Sequence, residues 1–265
     1  MPAVNLIRLR LQIEELLSFI ETPESFARQI KDLFSRYAHP SLRISDSSRS
    51  LSMIPQYHLP DPVLRQLRLD LPSFIQKDIQ NALLIADELW KDPYFEVKQM
   101  AIFILNLTCV EDPGPVVERI KTWLTPDLDS AVAADLLITG TQNLQVNHPQ
   151  SWEGLIDSYL VDQNPKMVSF GLQGLTAGVE HGSGSTLPAV YRMISPILQN
   201  PSGVFYTKFL DLMEALTRKS PTETAFFLRQ TLAISDSPET IRLVKQILPL
   251  FPESIQTQIR NQITK

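Results

Sequence analysis

Residues 72–105, PSFIQKDIQNALLIADELWKDPYFEVKQMAIFIL, indicate the fold class because their apolar residues recur every three or four positions. Such spacing places apolar side chains on one face of an α-helix, whereas a half-buried strand would alternate apolar and polar residues. The two series comprise Phe74, Ile75, Ile79, Leu83, Ala86 and Trp90, and then Val97, Met100, Ala101, Ile104 and Leu105. The segment predicts one helix from Pro72 to Trp90, a turn, and a second helix after Pro93.

Prolines mark helix starts along the rest of the chain, which has 20 prolines and 9 glycines. A polar residue can cap the free N–H groups of a first helical turn, and a proline that follows it lacks the N–H that would go unpaired there. This pair occurs at residues 61–62, 92–93, 112–113, 164–165, 200–201, 220–221 and 237–238, with similar starts at 148–149 and 251–252. The pattern predicts about fourteen helices of roughly ten to nineteen residues, joined mostly by short turns.

Short connections favour antiparallel neighbours, so the helices are expected to form hairpins. Helix pairs that recur along the chain predict an all-α fold, a HEAT-like helical-repeat solenoid (α-α superhelix), with a non-repetitive helical bundle as the alternative. We expect a helix pair over residues 1–37, a loop over residues 38–60 and the solenoid over residues 61–265 as one continuous domain. A second loop, Glu180 to Thr186, is rich in Gly and Ser.

Composition excludes several classes of protein. The chain carries 24 Lys and Arg against 29 Asp and Glu, so the whole molecule is not an obvious polyanion binder. Its one cysteine, Cys109, lies in an apolar run and is expected to be a buried, inert thiol. No run is apolar enough for a membrane span, and charges near the N-terminus argue against a secretory signal, so we expect a cytoplasmic protein. The four histidines lack ligand partners at helical spacing, and the GSGS stretch lacks the Lys-Ser/Thr of a phosphate loop, so no metal and no cofactor are expected.

Three segments resemble a known family. Residues 85–105 are similar to a helix-turn-helix of the AlkD-like DNA alkylation repair family. The members of this family are DNA glycosylases built from HEAT-like repeats. Residues 57–65, YHLPDPVLR, are similar to that family's initial loop and first following helix, and residues 216–228, LTRKSPTETAFFL, to a later helix junction. The resemblance covers residues ~55 to 255 and makes the chain a divergent member. It implies a concave basic face for duplex DNA and, in active members, cleavage of the glycosidic bond of cationic alkylated bases without metal or cofactor.

The resemblance also implies a site residue. Residues 131–140, AVAADLLITG, match the family's core motif, and Asp135 fits its catalytic carboxylate. Such a carboxylate would stabilise the positive charge that develops on the sugar as the base leaves. Ala131 stands where the motif has Trp, and Met167 stands where the family has Arg, with Lys166 adjacent. A second Trp, expected near Asp211, is also absent. The alternative for Asp135 is an ordinary solvated helix residue.

Charge is distributed unevenly along the chain. Residues 111–162 hold 2 basic and 9 acidic residues, whereas residues 163–265 hold 10 and 7. We predict that phosphates contact cations of the C-terminal block, with a solvated face of mixed charge as the alternative. The predicted DNA-binding residues are Lys166, Arg192, Lys208, Arg218 and Lys219. The expected function is duplex DNA binding with residual N-glycosylase activity on alkylated purines, and the alternative is a catalytically inactive scaffold that binds a protein partner.

Overall fold

The computed structural model describes residues 4–38, 54–181, 187–199, 203–235 and 237–263, and every regular element within these ranges is helical. This confirms the all-α prediction for the described part of the chain. The α-helices are α1 (Leu6–Leu17), α2 (Pro23–Tyr37), α3 (Asp61–Asp70), α4 (Pro72–Ile75), α5 (Ile79–Trp90), α6 (Phe95–Thr108), α7 (Gly114–Trp123), α8 (Ser130–Ile138), α9 (Gln142–Asn147), α10 (Pro149–Leu160), α11 (Pro165–His181), α12 (Leu187–Gln199), α13 (Tyr206–Lys219), α14 (Pro221–Ile234), α15 (Pro238–Ile247) and α16 (Glu253–Ile263). Short 3-10 turns lie at Gly203–Phe205 and Leu248–Leu250.

Proline marks several helix starts as expected. The first residues of α10, α11, α14 and α15 are Pro149, Pro165, Pro221 and Pro238. At α11 the mechanism is visible, because the Lys166 N–H donates to the Asn164 side-chain oxygen at 3.0 Å. The pair at residues 200–201 and most of the loop at 38–60 lie outside the described residues, as does the GSGS stretch.

The prediction of one helix from Pro72 to Trp90 is wrong. The structure has two helices there, because α4 ends at Ile75 and α5 begins at Ile79. The Asp78 carboxylate accepts a hydrogen bond from the Asn81 N–H at 2.9 Å, which caps a new helix start inside the apolar series. The three- and four-residue spacing of apolar residues continues across residues 76–78, so this spacing alone does not predict that the helix ends there. Three helices, α4, α8 and α9, are also shorter than the predicted range.

Contacts between residues divide the chain into two compact units, unit 1 over Met1–Asn143 and unit 2 over Leu144–Lys265. The predicted solenoid over residues 61–265 stays a prediction. In unit 1, α1 and α2 form a hairpin in which α1 packs against α3 and α2 packs against α5. A second hairpin consists of α5 and α6, and α6 also packs against α8. Fully buried Leu9, Phe26 and Phe34 bring the N-terminal helix pair into the core of this unit. Cys109 is fully buried, as expected, and burial raises its pKa to about 11, which favours the un-ionised thiol near neutral pH.

Two aromatic rings stack in unit 1. The Trp90 and Trp123 rings stack nearly parallel, with centroids 4.3 Å apart and an angle of 5° between their planes. Trp123 is 5% exposed, and the Lys98 ammonium lies 4.3 Å from the centroid of the Trp90 ring. Packing is therefore the role of this pair, as the periodicity predicts.

A buried carboxylate anchors the chain that leads into α3. Glu96, 5% exposed, accepts hydrogen bonds from the N–H groups of Tyr57 at 2.9 Å and His58 at 2.7 Å. His58 has a φ of 52°, a left-handed conformation that non-glycine residues rarely adopt. The Tyr57 ring stacks on Tyr94 with centroids 4.2 Å apart. These contacts fix the direction from which the backbone enters α3.

In unit 2 each helix packs against helices one or two places along the chain. The contacting pairs include α10 with α11 and α12, α11 with α13, α12 with α14, α13 with α14 and α15, and α14 with α16. The Lys219 ammonium at the end of α13 donates to the Val179 carbonyl near the end of α11 at 2.6 Å. The C-terminal ends of these two neighbours therefore meet, so α11 and α13 run in the same direction. No helix in the described part of either unit is long and apolar enough to cross a membrane.

Candidate functional site: the Asp135 cluster

Asp135 lies in the second turn of α8. Asp129 caps the start of this helix, because its side chain accepts from the N–H groups of Ala131 at 2.9 Å and Val132 at 3.4 Å. The two residues after Asp135 are leucines that are fully buried in the core of unit 1. Asp135 itself is half-buried at the edge of that core. It is therefore not the freely solvated helix residue that was its alternative interpretation.

The two oxygens of the Asp135 carboxylate have different surroundings. The Thr139 hydroxyl, one turn along α8, donates to Oδ1 at 2.6 Å. Oδ2 is buried and has no hydrogen-bond partner among the described residues. The Gln99 amide on α6 faces the same carboxylate and favours its charged form by hydrogen bonding, although its geometry toward Oδ2 is too poor for a well-formed bond. A buried acceptor without a partner is uncommon and indicates a place for a water or a ligand.

Arg68 on α3 brings a positive charge to the same place. Its guanidinium carbon lies 5.8 Å from the centroid of the Phe103 ring of α6. Its Nε is buried without a hydrogen-bond partner among the described residues, and none of the ion pairs found within those ranges includes it. We call Arg68, Gln99, Phe103, Asp135 and Thr139 the Asp135 cluster. It combines an unpartnered acceptor and an unpartnered donor of opposite charge.

Burial raises the pKa of Asp135, and the Thr139 hydroxyl, the Arg68 charge and the Gln99 amide offset part of that rise. A raised pKa means that the folded chain binds this proton more tightly than the unfolded chain does. Asp135 therefore stabilises the fold at pH values below its pKa in the unfolded chain, near 3.8. This stabilisation is lost as the pH rises through the higher pKa that Asp135 has in the folded chain. An ionised Asp135 thus lowers stability at neutral pH, as is common for residues held for function.

The predicted DNA-binding cations all lie in unit 2, whereas Asp135 lies in unit 1. Lys208 pairs with Asp211 at 3.5 Å, one turn along α13. Arg218, at the end of α13, pairs with Glu180 at 2.8 Å, beside the Lys219 contact with α11. At the C-terminal end of α11, Lys219 therefore caps a free carbonyl group and Arg218 neutralises the Glu180 carboxylate.

The other two cations are separate from this pair. The Lys166 ammonium, in the first turn of α11, lies 5.6 Å from the centroid of the Phe170 ring. Because Lys219 contacts the opposite end of α11, Lys166 lies roughly 20 Å away from it along the helix. Arg192 of α12 pairs with Glu153 of α10 at 3.6 Å, and both line a groove of about 530 Å³ with Asp157. The structure thus spreads the predicted cations over several places in unit 2 and gives most of them a protein partner.

The sequence analysis named Asp135 as a candidate but did not point to Arg68, Gln99 or Phe103, which lie around it in the structure. The pair of Asp135 and Thr139 could have been found, because residues four apart lie on one face of a helix. The contributions of α3 and α6 depend on how these helices pack against α8, and no local pattern reports that. The family's missing Arg falls on Met167, which is buried in unit 2 and has no cationic role.

No group of three or more His, Cys, Asp or Glu side chains within the described ranges is placed to hold a metal ion. His39 lies outside those ranges. Comparisons with protein-family models, with curated proteins and with solved structures find no match for this chain.

Proposed function

We propose that the chain is a divergent AlkD-like DNA alkylation repair protein that binds duplex DNA and retains residual N-glycosylase activity on alkylated purines. The observation that carries this proposal is the half-buried Asp135 carboxylate, with one unpartnered oxygen and an arginine nearby. The resemblance of residues 85–105 and 131–140 to the family supplies the expected reaction.

The helix contacts of unit 2 support the HEAT-like part of the proposal. Stacked helix pairs bring each helix against the second helix along the chain, because successive pairs lie in two parallel layers. Contacts of α10 with α12, α11 with α13, α12 with α14, α13 with α15 and α14 with α16 follow this rule. A non-repetitive bundle would not require such a regular series.

The proposed chemistry needs an anion beside a departing cationic base. As the glycosidic bond lengthens, positive charge grows on the sugar, and a carboxylate at that place stabilises it without becoming a covalent partner. Partial burial strengthens this effect because less water screens the charge. The leaving base is already positive, so its departure as a neutral molecule needs no proton donor. The Asp135 cluster supplies the anion with Thr139 holding one of its oxygens.

Base release from methylated DNA tests the enzymatic claim. Duplex DNA treated with a methylating agent is incubated with the wild-type protein and with Asp135→Asn, and free methylpurines are separated and counted. We expect release by the wild type and background release by Asp135→Asn. Asp32→Asn is the matched control, because Asp32 is an exposed helical aspartate of α2 in the same unit and should leave the rate unchanged. Release that is equal in the wild type and in Asp135→Asn would end the claim.

DNA binding is tested separately. Exposed ion pairs such as Lys208 with Asp211 contribute little to stability, so Lys208 can exchange its partner for a phosphate. We expect duplex affinity to fall steeply with salt and to weaken in Lys208→Glu and Lys219→Glu. Affinity that is absent, or independent of salt, contradicts DNA binding.

The second candidate is a protein-interaction scaffold without catalysis. It is favoured by the carboxylate partners of Arg192, Lys208 and Arg218 and by Ala131 at the motif's Trp position. A scaffold would retain a specific protein partner in a pull-down and release no base.

A further inference from the structure

One side of α1 carries apolar side chains that no other helix of the described residues covers. We propose that this side binds the same side of a second copy of the chain, so that the two α1 helices pack antiparallel in a two-fold symmetric dimer. The inference concerns association of the protein with itself and does not depend on the proposed reaction.

Two large aliphatic side chains of α1 point away from the core of unit 1. The core side of the helix consists of Leu9, Ile13, Leu16 and Leu17, which are all buried. Ile7 and Leu11, one turn apart on the outward side, are 76% and 61% exposed. Single exposed aliphatic residues are ordinary, whereas two in line along one helix form a stripe that a second helix can bury.

The charges beside this stripe are ordered along the helix. Arg8 and Arg10 lie in its first half, Glu14 and Glu15 lie in its second half, and all four are exposed. A lone helix favours the reverse order, because its N-terminal end attracts acids and its C-terminal end attracts bases. None of the ion pairs found within the described ranges includes any of the four. These charges are therefore free to pair with a partner molecule.

We call these six residues the α1 face; they are Ile7, Arg8, Arg10, Leu11, Glu14 and Glu15.

A two-fold axis near Leu11 pairs every charge of the α1 face. In such an antiparallel pair each flank of one helix meets the same flank of the other, and any contact from one residue to another occurs twice. Arg8 and Glu15 are two turns apart and share one flank, so Arg8 of one copy faces Glu15 of the other. Arg10 and Glu14 are one turn apart on the other flank and face each other in the same way. The two Leu11 side chains meet at the axis.

A groove beside the α1 face extends the contact surface. It has a volume of about 630 Å³ and lies between α1 and the helices α3 and α4. Arg10 and Glu14 line it on one side, and Leu69, which is 66% exposed, lines it on the other. One helix face with this groove is a smaller surface than stable dimers use, so we expect a dissociation constant on the order of 10–100 µM.

Sedimentation equilibrium of the full chain tests the association. Between about 5 and 500 µM, the mass of the wild type should rise from the 30.0 kDa of one chain toward twice that value. Leu11→Glu should weaken the dimer at least about tenfold, because it places two like charges at the axis. Leu84→Glu is the matched control, because Leu84 is a leucine of α5 in the same unit that is 56% exposed, and it should leave the dimer unchanged.

Exchange of the charges tests the antiparallel arrangement. One variant combines Arg8→Glu with Arg10→Glu, and the other combines Glu14→Arg with Glu15→Arg. Each should self-associate at least about tenfold more weakly than the wild type, since like charges then face each other. An equimolar mixture of the two should form a heterodimer, and a chain with all four changes should recover the wild-type dimer. These changes place acids near the N-terminal end and bases near the C-terminal end of α1, so the helix itself is not weakened.

A wild type that keeps the mass of one chain at the highest concentration overturns the inference. It also fails if Leu84→Glu weakens the dimer as much as Leu11→Glu, or if the mixture of charge variants forms no heterodimer. Loss of the dimer in Leu11→Glu and its return in the mixture support it. Circular dichroism shows that each variant is folded, and the charge variants complete the test if Leu11→Glu is not. Base release and duplex binding do not enter these outcomes, so failure of the dimer and failure of the proposed function are separate results.

Discussion

Replacing Glu96 by glutamine should destabilise unit 1 strongly although the side chain keeps nearly the same size and shape. The carboxylate accepts from two backbone N–H groups, Tyr57 at 2.9 Å and His58 at 2.7 Å, and it is 5% exposed. Glutamine keeps one acceptor and turns an N–H₂ group toward the other donor. Hydrogen bonds to charged groups contribute about 1.5–3 kcal/mol each, and a stranded donor adds its desolvation cost. We expect Glu96→Gln to lower the free energy of unfolding by about 2–4 kcal/mol.

Urea denaturation followed by tryptophan fluorescence measures this loss. With a slope of about 2 kcal/mol per molar, the midpoint of unit 1 should fall by about 1–2 M. Glu118→Gln is the matched control, because Glu118 is an exposed glutamate of α7 in the same unit and should shift stability by less than about 0.5 kcal/mol. The reasoning is refuted if both variants unfold at the wild-type midpoint, since the carboxylate would then not hold the segment before α3.

Three further outcomes follow from single contacts. Asp135→Asn should stabilise the protein at pH 7, and its advantage should shrink as the pH falls toward 3.8, in unfolding experiments at several pH values. Cys109 should react with a thiol reagent at pH 8 only as unit 1 opens, because its pKa is about 11 and its side chain is fully buried; fast labelling of the native protein contradicts this. Asn106→Leu should lower the free energy of unfolding by about 1–3 kcal/mol, because the Asn143 N–H then loses the side-chain oxygen that accepts from it at 2.7 Å. An unchanged melting temperature would contradict this prediction.

Local sequence patterns predict the elements of this fold better than the contacts between them. Apolar spacing and prolines give the helical class, and Pro165 and Pro221 mark helix starts to the residue. The same signals miss the start at Ile79, because one aspartate side chain decides it without changing the apolar period. The anchoring of residues 54–60 by Glu96 was also invisible, since its partners lie 38 and 39 positions away in sequence.

The candidate site shows the same limit. Asp135 was found through a motif of its own helix, but its surroundings come from α3 and α6, which are separated from it by many residues. Aspartate is common on protein surfaces, and it is burial that raises the pKa of Asp135. Burial depends on how the helices pack, so the local sequence does not predict it. The predicted cations lie at several separate places in unit 2, and charge counts could not show this for a related reason. Charge counts along the chain ignore the carboxylates that packing places opposite some of the cations, such as Glu180 opposite Arg218.

The stacked indoles of Trp90 and Trp123 give the first unit an optical signature of its own. Two indoles stacked with their centroids 4.3 Å apart couple their electronic transitions, so their circular dichroism should differ from that of isolated tryptophans. Trp152, the remaining tryptophan, belongs to the other unit and is fully buried there. Loss of the coupled signal would therefore report melting of the first unit by itself, without any added label.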